Sequence, residues 1–192
     1  PKSAEAHNVM GVLLEKDDDF VKAEQNYRKA LSLKSEYPQA RNNYGVLLYR
    51  LKRYKEAMEQ FSIAAADLSY ERRETALEYV GKIALMLGDK EKAKVTFERA
   101  LKLNSRLPDP ALELATFAYD EQNYPEANRF YQRYLRAIDK EVQSARGLWL
   151  GIRLARLNHD NNALASYELA LKRLYANSEE YQAYLNSSNS GS

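Results

Sequence analysis

One helical face is written three times in this chain. AEQNYRKA (Ala23 to Ala30), AMEQFSIA (Ala57 to Ala64) and AKVTFERA (Ala93 to Ala100) each set a small residue, an aromatic and a second small residue at relative positions 0, 4 and 7. Residues three and four apart are neighbours on an α-helix, so the three share a stripe on which the ring fills a gap and the alanines let another helix approach. A single helical pair cannot bury such a stripe; stacked neighbours can. The opening alanine returns at Ala23, Ala57, Ala93, Ala127 and Ala163, with spacings of 34, 36, 34 and 36 residues, the range of stacked helical arrays.

Twelve residues ahead of each anchor stands a small residue: Gly11, Gly45, Gly81, Ala115 and Gly151. Apolar residues at helical spacing follow each, which places them inside helices, where glycine costs about 1 kcal/mol against alanine. Four of the chain's seven glycines occupy this slot, a pattern that predicts close packing of two backbones. Between the slot and the anchor lie the turns KDDDF, LKRY, LGDK, EQNYP and LNHDN, in which Asp19, Asp89, Asn123 and Asp160 are placed to cap the next helix and Pro125 suits its first turn. Each repeat reads as helix, tight turn, helix, so the fold class is all-α. The two longer spacings predict extra residues around Leu68 to Arg73 and Ile138 to Gln143.

Composition bounds the function. At 192 residues, 45% apolar and 29% charged, the chain can bury a core. Its 29 basic and 27 acidic residues are interspersed, so no field that gathers nucleic acid is implied. No apolar run approaches the roughly 18 residues of a membrane span. The absence of cysteine excludes disulfides, thiolate catalysis and cysteine-ligated zinc, but leaves the compartment open. The first residue is Pro1, which points to a processed or trimmed N-terminus.

The residues offer no chemistry. His7 and His159 are the only histidines and fall in different repeats, with no metal-ligand spacing around them. His7 reads as a packing residue, and Asp17 to Asp19 as a turn and cap rather than a calcium loop. There is no phosphate loop, nucleophile elbow or dinucleotide fingerprint, and the carboxylate pairs fall on solvated helix faces. The chain is expected not to be an enzyme and to need no cofactor or metal. Trp149 and most of the fifteen tyrosines read as core.

The motif resembles the tetratricopeptide repeat, with its small residue at position 8, alanine at 20, aromatic at 24 and alanine at 27 of a 34-residue unit. The resemblance covers about 170 residues from near Ala4. It implies a right-handed superhelical array of about five helix-turn-helix repeats, near 4–37, 38–71, 74–107, 108–141 and 144–177. These would form one domain over 1–185, followed by a mobile tail over 186–192. The fourth and fifth repeats depart from the pattern, with Ala115 for glycine, Tyr134 for the second alanine and Gly147 where a bulky residue is usual; they read as looser variants.

In such an array the first helix of each repeat lines a concave face, and binding residues recur with the period. Positions 2, 5, 9 and 12 of successive repeats are Glu5, Asn8, Val12 and Glu15; Gln39, Asn42, Val46 and Tyr49; Thr75, Glu78, Lys82 and Leu85; Asp109, Leu112, Thr116 and Tyr119; Ala145, Leu148, Ile152 and Ala155. The mixture of apolar, aromatic and polar side chains suits a peptide or partner helix. The expected partner-binding groove comprises Asn8, Val12, Asn42, Val46, Tyr49, Glu78, Lys82, Leu85, Leu112, Tyr119, Leu148 and Ile152.

The segments YRKAL (from Tyr27), YERRETALEYVGKIALMLGDKEKAKVTFERAL (from Tyr70), LELATFAYDEQNYPEANRFYQRY (from Leu112), LWLGIRLARL (from Leu148) and YANSEEYQAYL (from Tyr175) together resemble the type IV pilus biogenesis lipoproteins, the secretin pilotins. GIRLAR and SEEYQAY are the most distinctive. The resemblance implies a non-catalytic periplasmic scaffold, lipid-anchored at the outer membrane in the parent protein, that binds the pilus secretin and promotes its localisation and multimer assembly. It also implies a further repeat and a lipidated cysteine ahead of Pro1. The alternative is a cytoplasmic adaptor or co-chaperone that clamps a C-terminal carboxylate: Asn42 and Asn43 partly suit that role, whereas Asn8, Val12, Thr75 and Tyr79 do not complete the clamp. A regulatory arm of an enzyme ranks last, because no catalytic segment fits within the chain.

Overall fold

The computed structural model describes residues 3–139 and 141–189, and every regular element among them is an α-helix. In chain order they are α1 (Ala4–Lys16), α2 (Phe20–Leu33), α3 (Pro38–Arg50), α4 (Tyr54–Ala66), α5 (Arg73–Met86), α6 (Lys90–Leu103), α7 (Pro108–Asp120), α8 (Tyr124–Ile138), α9 (Ala145–Leu157), α10 (Asn161–Leu174) and α11 (Glu179–Asn189). The all-α repeat fold expected from the period is therefore present. The helices fall into two compact bodies, Pro1–Asn104 with α1 to α6 and Ser105–Ser192 with α7 to α11.

The turns within each helix pair are built alike. The residue before the second helix's N-cap sits in the left-handed region: Asp18, Lys52, Gly88, Gln122 and His159 have φ between 54° and 82°. The N-cap amide then reaches back to a carbonyl of the first helix, as in Asp19 N to Leu14 O at 2.9 Å and Asp160 N to Ala155 O at 3.0 Å. Asp19, Asp89, Asn123 and Asp160 each accept a hydrogen bond from an amide of the first turn, as their sequence positions predict. Pro125 lies in the first turn of α8.

The glycine slot has a different cause from the one expected. What approaches it is the motif's aromatic ring, not a neighbouring backbone. A Cβ on Gly11 would stand 2.6 Å from Cε1 of Tyr27, and one on Gly45 2.9 Å from Cε1 of Phe61; Gly81 meets Phe97 more closely still. Tyr27, Phe61 and Phe97 are fully buried, as are the alanines flanking them at Ala23, Ala30, Ala57, Ala64, Ala93 and Ala100. The slot and the aromatic are thus two halves of one contact between the helices of a pair.

The turn geometry also fixes the register of the fifth pair. The N-caps of the second helices are Asp19, Arg53, Asp89, Asn123 and Asp160, which gives spacings of 34, 36, 34 and 37 residues. The carbonyls that accept from them, on Leu14, Leu48, Ala84, Ala118 and Ala155, each lie three residues after the slot in the first four pairs. By that rule the turn places Ile152 at the slot position of the fifth pair, although a Cβ on Gly151 would still lie 3.0 Å from Cδ2 of Tyr167. Three residues, rather than two, have been added between the fourth and fifth pairs, and every helix-facing position of α9 shifts by one.

The added residues are accommodated in loops. Between α4 and α5, Tyr70 is buried, Asp67 accepts from the Ser69 amide at 2.9 Å, and Arg73 Nε donates to the Ala65 carbonyl at 3.0 Å. After α8, Asp139 takes φ 49° and the Glu141 amide donates to the Ile138 carbonyl at 2.8 Å; the Ser144 hydroxyl then caps α9 by accepting from Gly147 N at 3.1 Å. Of the expected tail, residues 186–189 are the end of α11, and residues 190–192 lie outside the described residues.

Candidate partner-binding faces

In the N-terminal body, α1, α3 and α5 carry the expected lining. Val12, Val46, Tyr49, Glu78, Lys82 and Leu85 are all half-buried, partly open to solvent. Tyr49 meets Tyr54 edge-on at 5.6 Å between ring centroids and Tyr79 at 5.3 Å, and Tyr79 stacks on Phe61 at 4.5 Å with 4° between the planes. Lys82 Nζ stands 5.8 Å above the Tyr79 ring and 2.6 Å from the Glu78 carboxylate. The result is a rigid aromatic ledge, braced from behind by the core ring Phe61 and flanked by a charge pair. Such a ledge anchors an apolar side chain while the charges orient the polar part of a ligand.

Asn8 and Asn42 do not join that face, because both are buried. Asn8 accepts from Asn43 Nδ2 at 3.0 Å and its own amide points to the Tyr37 hydroxyl at 3.5 Å, so it ties α1 to α3. The amides that a carboxylate clamp would need are therefore inside the packing or engaged in it. Glu15 is likewise occupied, accepting from the Tyr27 hydroxyl and from Arg50 Nη1, each at 3.0 Å. His7 is held by Asn26 at 2.8 Å, a structural role.

In the C-terminal body the expected lining divides. Tyr119 is half-buried and meets Tyr124 edge-on at 5.5 Å and 61°, repeating the Tyr49–Tyr54 pair. Leu112, Leu148 and Ile152 are instead buried. Leu148 and Ile152 form a cluster with Leu171, against which Tyr181 and Tyr184 of α11 pack. They are core residues, and the reason is the one-residue shift of the fifth pair, which moves Trp149, Arg153 and Arg156 into the α9 positions equivalent to the half-buried ones of the other first helices. Trp149 is half-buried rather than fully in the core, and the basic character of this face had no place in the sequence-based lining.

These residues build a second recess. Tyr119, Trp149, Arg153, Arg156, Leu157, His159 and Ser187 line a cavity of about 450 Å³. The Arg153 guanidinium lies 4.3 Å above Tyr119 and 5.4 Å above Trp149, with Nη1 3.9 Å from the Asp120 carboxylate. Burial holds Arg153 below the ordinary guanidinium value, while Tyr119 and Asp120 pull the other way. Its Nε is buried without a hydrogen-bond partner among the described residues. Arg156 donates to Ser187 at 2.9 Å and lies 5.5 Å above Tyr184, which fastens α11 at the edge of the recess. A guanidinium between two rings offers planar donors and a flat apolar surface together, a combination suited to an acidic or amide-rich segment of a partner.

The signal that locates Trp149, Arg153 and Arg156 is present in the sequence. Asp19, Asp89 and Asn123 each precede their anchor alanine by four residues, whereas Asp160 precedes Ala163 by three. The cap, which is tied to the turn, keeps the phase better than the alanine does. Among the described residues no three His, Asp or Glu side chains are grouped to hold a metal, and no helix is long and apolar enough to cross a membrane.

Comparison with known proteins agrees with the repeat. Tetratricopeptide-repeat family profiles match residues 8–71 and 80–106. The chain is 39% identical over 184 residues to the type IV pilus assembly protein PilF of Pseudomonas aeruginosa, an alignment covering 96% of this chain and 72% of that protein. A solved structure of Pseudomonas aeruginosa PilF superposes with a TM-score of 0.90 at 38% identity, covering 97% of this chain and 83% of the other. PilW, described as a widely conserved type IV pilus biogenesis factor, follows with a TM-score of 0.71 at 28% identity, covering 96% and 84%.

Proposed function

Because the chain belongs to the family of the type IV pilus assembly protein PilF, we propose that it is a non-catalytic pilus-assembly scaffold that binds the secretin subunit through the inner faces of its repeats. The similarity over nearly the whole chain carries this reading, and the two aromatic recesses supply surfaces suited to it. Tyr49, Tyr79 and Lys82 hold one segment of the partner, and Tyr119, Trp149 and Arg153 hold another. Two weak contacts on one chain reinforce each other by raising the local concentration of the second segment. The parent protein acts at the periplasmic face of the outer membrane, held there by an N-terminal lipid, and guides the secretin to that membrane and into its multimer.

The test is genetic and physical together. Deletion of the parent gene should remove secretin multimers from the outer membrane, and a lipidated copy should restore them; unchanged multimers after deletion would end the proposal. In solution, calorimetric titration of this chain with the soluble periplasmic part of the secretin should show saturable binding. Lys82→Glu and Tyr49→Ala should each weaken it without unfolding the array, and equal affinity in both variants would move the contact elsewhere.

A further inference from the structure

Helix α8 carries Arg129, Arg133 and Arg136 at spacings of four and three residues, which puts them on one stripe. Arg106, from the segment leading into α7, joins them, and the four arginines line one pocket of about 700 Å³ together with Phe130 and Asp139. Like charges at these spacings weaken a helix, and the dipole at the C-terminus of α8 offsets this chiefly for Arg136, in the last turn. Arg133 Nε donates to the Ser105 carbonyl at 3.1 Å, which fixes the group in place. Arg129 is held by Glu126 and lies 4.9 Å over the Phe130 ring. No carboxylate among the described residues pairs with Arg136, which is exposed. Burial first, then the neighbouring Arg129 and Arg136, keep Arg133 below its ordinary proton affinity.

We propose that this pocket is an oxyanion site that takes a phosphate-bearing ligand. The fork of a guanidinium binds two oxygens at once, and a carboxylate has only two, enough for one fork. A terminal phosphate presents three oxygens and more charge, and so engages several forks from different directions. The pocket lies toward the C-terminal end of α8, whose dipole opposes an anion with roughly half an elementary charge; the unit charge of Arg136, which no described carboxylate pairs, already exceeds it. The volume exceeds that of a free phosphate, and Phe130 and Ala137 offer an apolar wall to the body that carries the phosphate. The source of that phosphate is either a soluble phosphoester or a lipid headgroup. The site is separate from the groove residues and does not depend on the secretin reading.

The experiment is an NMR titration of the whole chain with inorganic pyrophosphate, together with flotation on phosphatidylcholine vesicles with and without phosphatidylglycerol. Saturable shifts confined to the Arg106, Arg129, Arg133 and Arg136 signals are expected, with roughly tenfold weaker binding for Arg136→Gln, as for loss of one charge-assisted hydrogen bond. Arg136 is exposed, so this variant should keep the wild-type unfolding midpoint, and Arg136→Lys should recover part of the affinity. Flotation that requires phosphatidylglycerol and is lost in Arg136→Gln supports a headgroup; pyrophosphate binding without flotation supports a soluble phosphoester. Absence of saturable pyrophosphate binding, equal binding by wild type and Arg136→Gln, or binding of a poly-glutamate peptide in place of pyrophosphate would overturn the proposal.

Discussion

The ring of Tyr134 occupies the space that Gly147 leaves empty. A Cβ on Gly147 would lie 2.7 Å from both Cε1 and Cζ of Tyr134 and would overlap its hydroxyl, which also accepts a hydrogen bond from the Ser144 amide at 3.2 Å. Each residue is a departure from the repeat pattern when read alone. Together they are one contact, with the bulk moved from α9 to α8, and Tyr134 is buried in it. Tyr134→Ala should cost about 3–5 kcal/mol by opening a cavity, and Gly147→Leu about 1–3 kcal/mol or more by overpacking. The double variant should cost less than the sum, by about 1–3 kcal/mol of coupling. Urea unfolding of the four proteins measures it, and strict additivity would show that the two sites are independent.

The glycine slot makes an ordered prediction. Alanine at Gly45 or Gly81 gains about 1 kcal/mol of helix propensity but drives a Cβ into a fully buried ring, at about 1–3 kcal/mol. Because the approach is closer at Gly81 than at Gly45, Gly81→Ala should lower the melting temperature more. At Gly88, where φ is 82° and nothing lies within 4 Å, alanine meets no neighbour and is opposed only by its left-handed backbone, at about 1–2 kcal/mol.

The register of α9 is tested by neighbours in sequence. Ile152→Ala removes a fully buried side chain and should cost about 2–5 kcal/mol. Arg153→Ala removes a stacked cation and should cost no more than about 2 kcal/mol, and should weaken the secretin binding proposed above. If Arg153→Ala unfolds the chain and Ile152→Ala spares it, the slot is Gly151 after all.

Alkaline pH should destabilise the chain through its buried phenols. Burial foremost, then the Glu15 carboxylate, pushes Tyr27 far above its ordinary 10.0, and burial foremost, then Tyr167 and Tyr134, does the same for Tyr131. A folded pKa raised above the unfolded one means stability that is fully present below about pH 10 and lost as pH rises toward the folded value. Each such tyrosine should remove about 1.4 kcal/mol per pH unit in that window. Urea midpoints measured on either side of pH 10 should fall with this slope, and less steeply in Tyr131→Phe; an unchanged slope would mean that Tyr131 ionises as freely folded as unfolded.

Much of the fold is legible because it is local. The caps Asp19, Asp89, Asn123 and Asp160, the anchor alanines and the buried aromatics all work within one helix pair, and a pair has a fixed sequence length. The lining was legible only in part, and Asn8, Asn42 and Leu112 are buried in repeats whose phase held. Val46, Tyr49 and Lys82 are partly open to solvent, whereas Leu148 and Ile152 are buried, since one additional loop residue rotates the face of a helix by about 100°. The arginine pocket had no sequence signal of its own: Arg106 and Arg133 are far apart in the chain, and a basic stripe on a helix is common.

The sequence by itself determined that the chain is all-α, that it repeats as helix, turn, helix, and which residues cap α2, α6, α8 and α10, because hydrogen bonds at helix ends and stripes at helical spacing are set by short-range geometry. Only the tertiary structure decided which member of each apolar cluster is covered, that Tyr134 and Gly147 share one space, and that α11 closes over Leu148 and Ile152. Those outcomes depend on how whole helices meet, where a shift of a single residue exchanges an exposed face for a buried one.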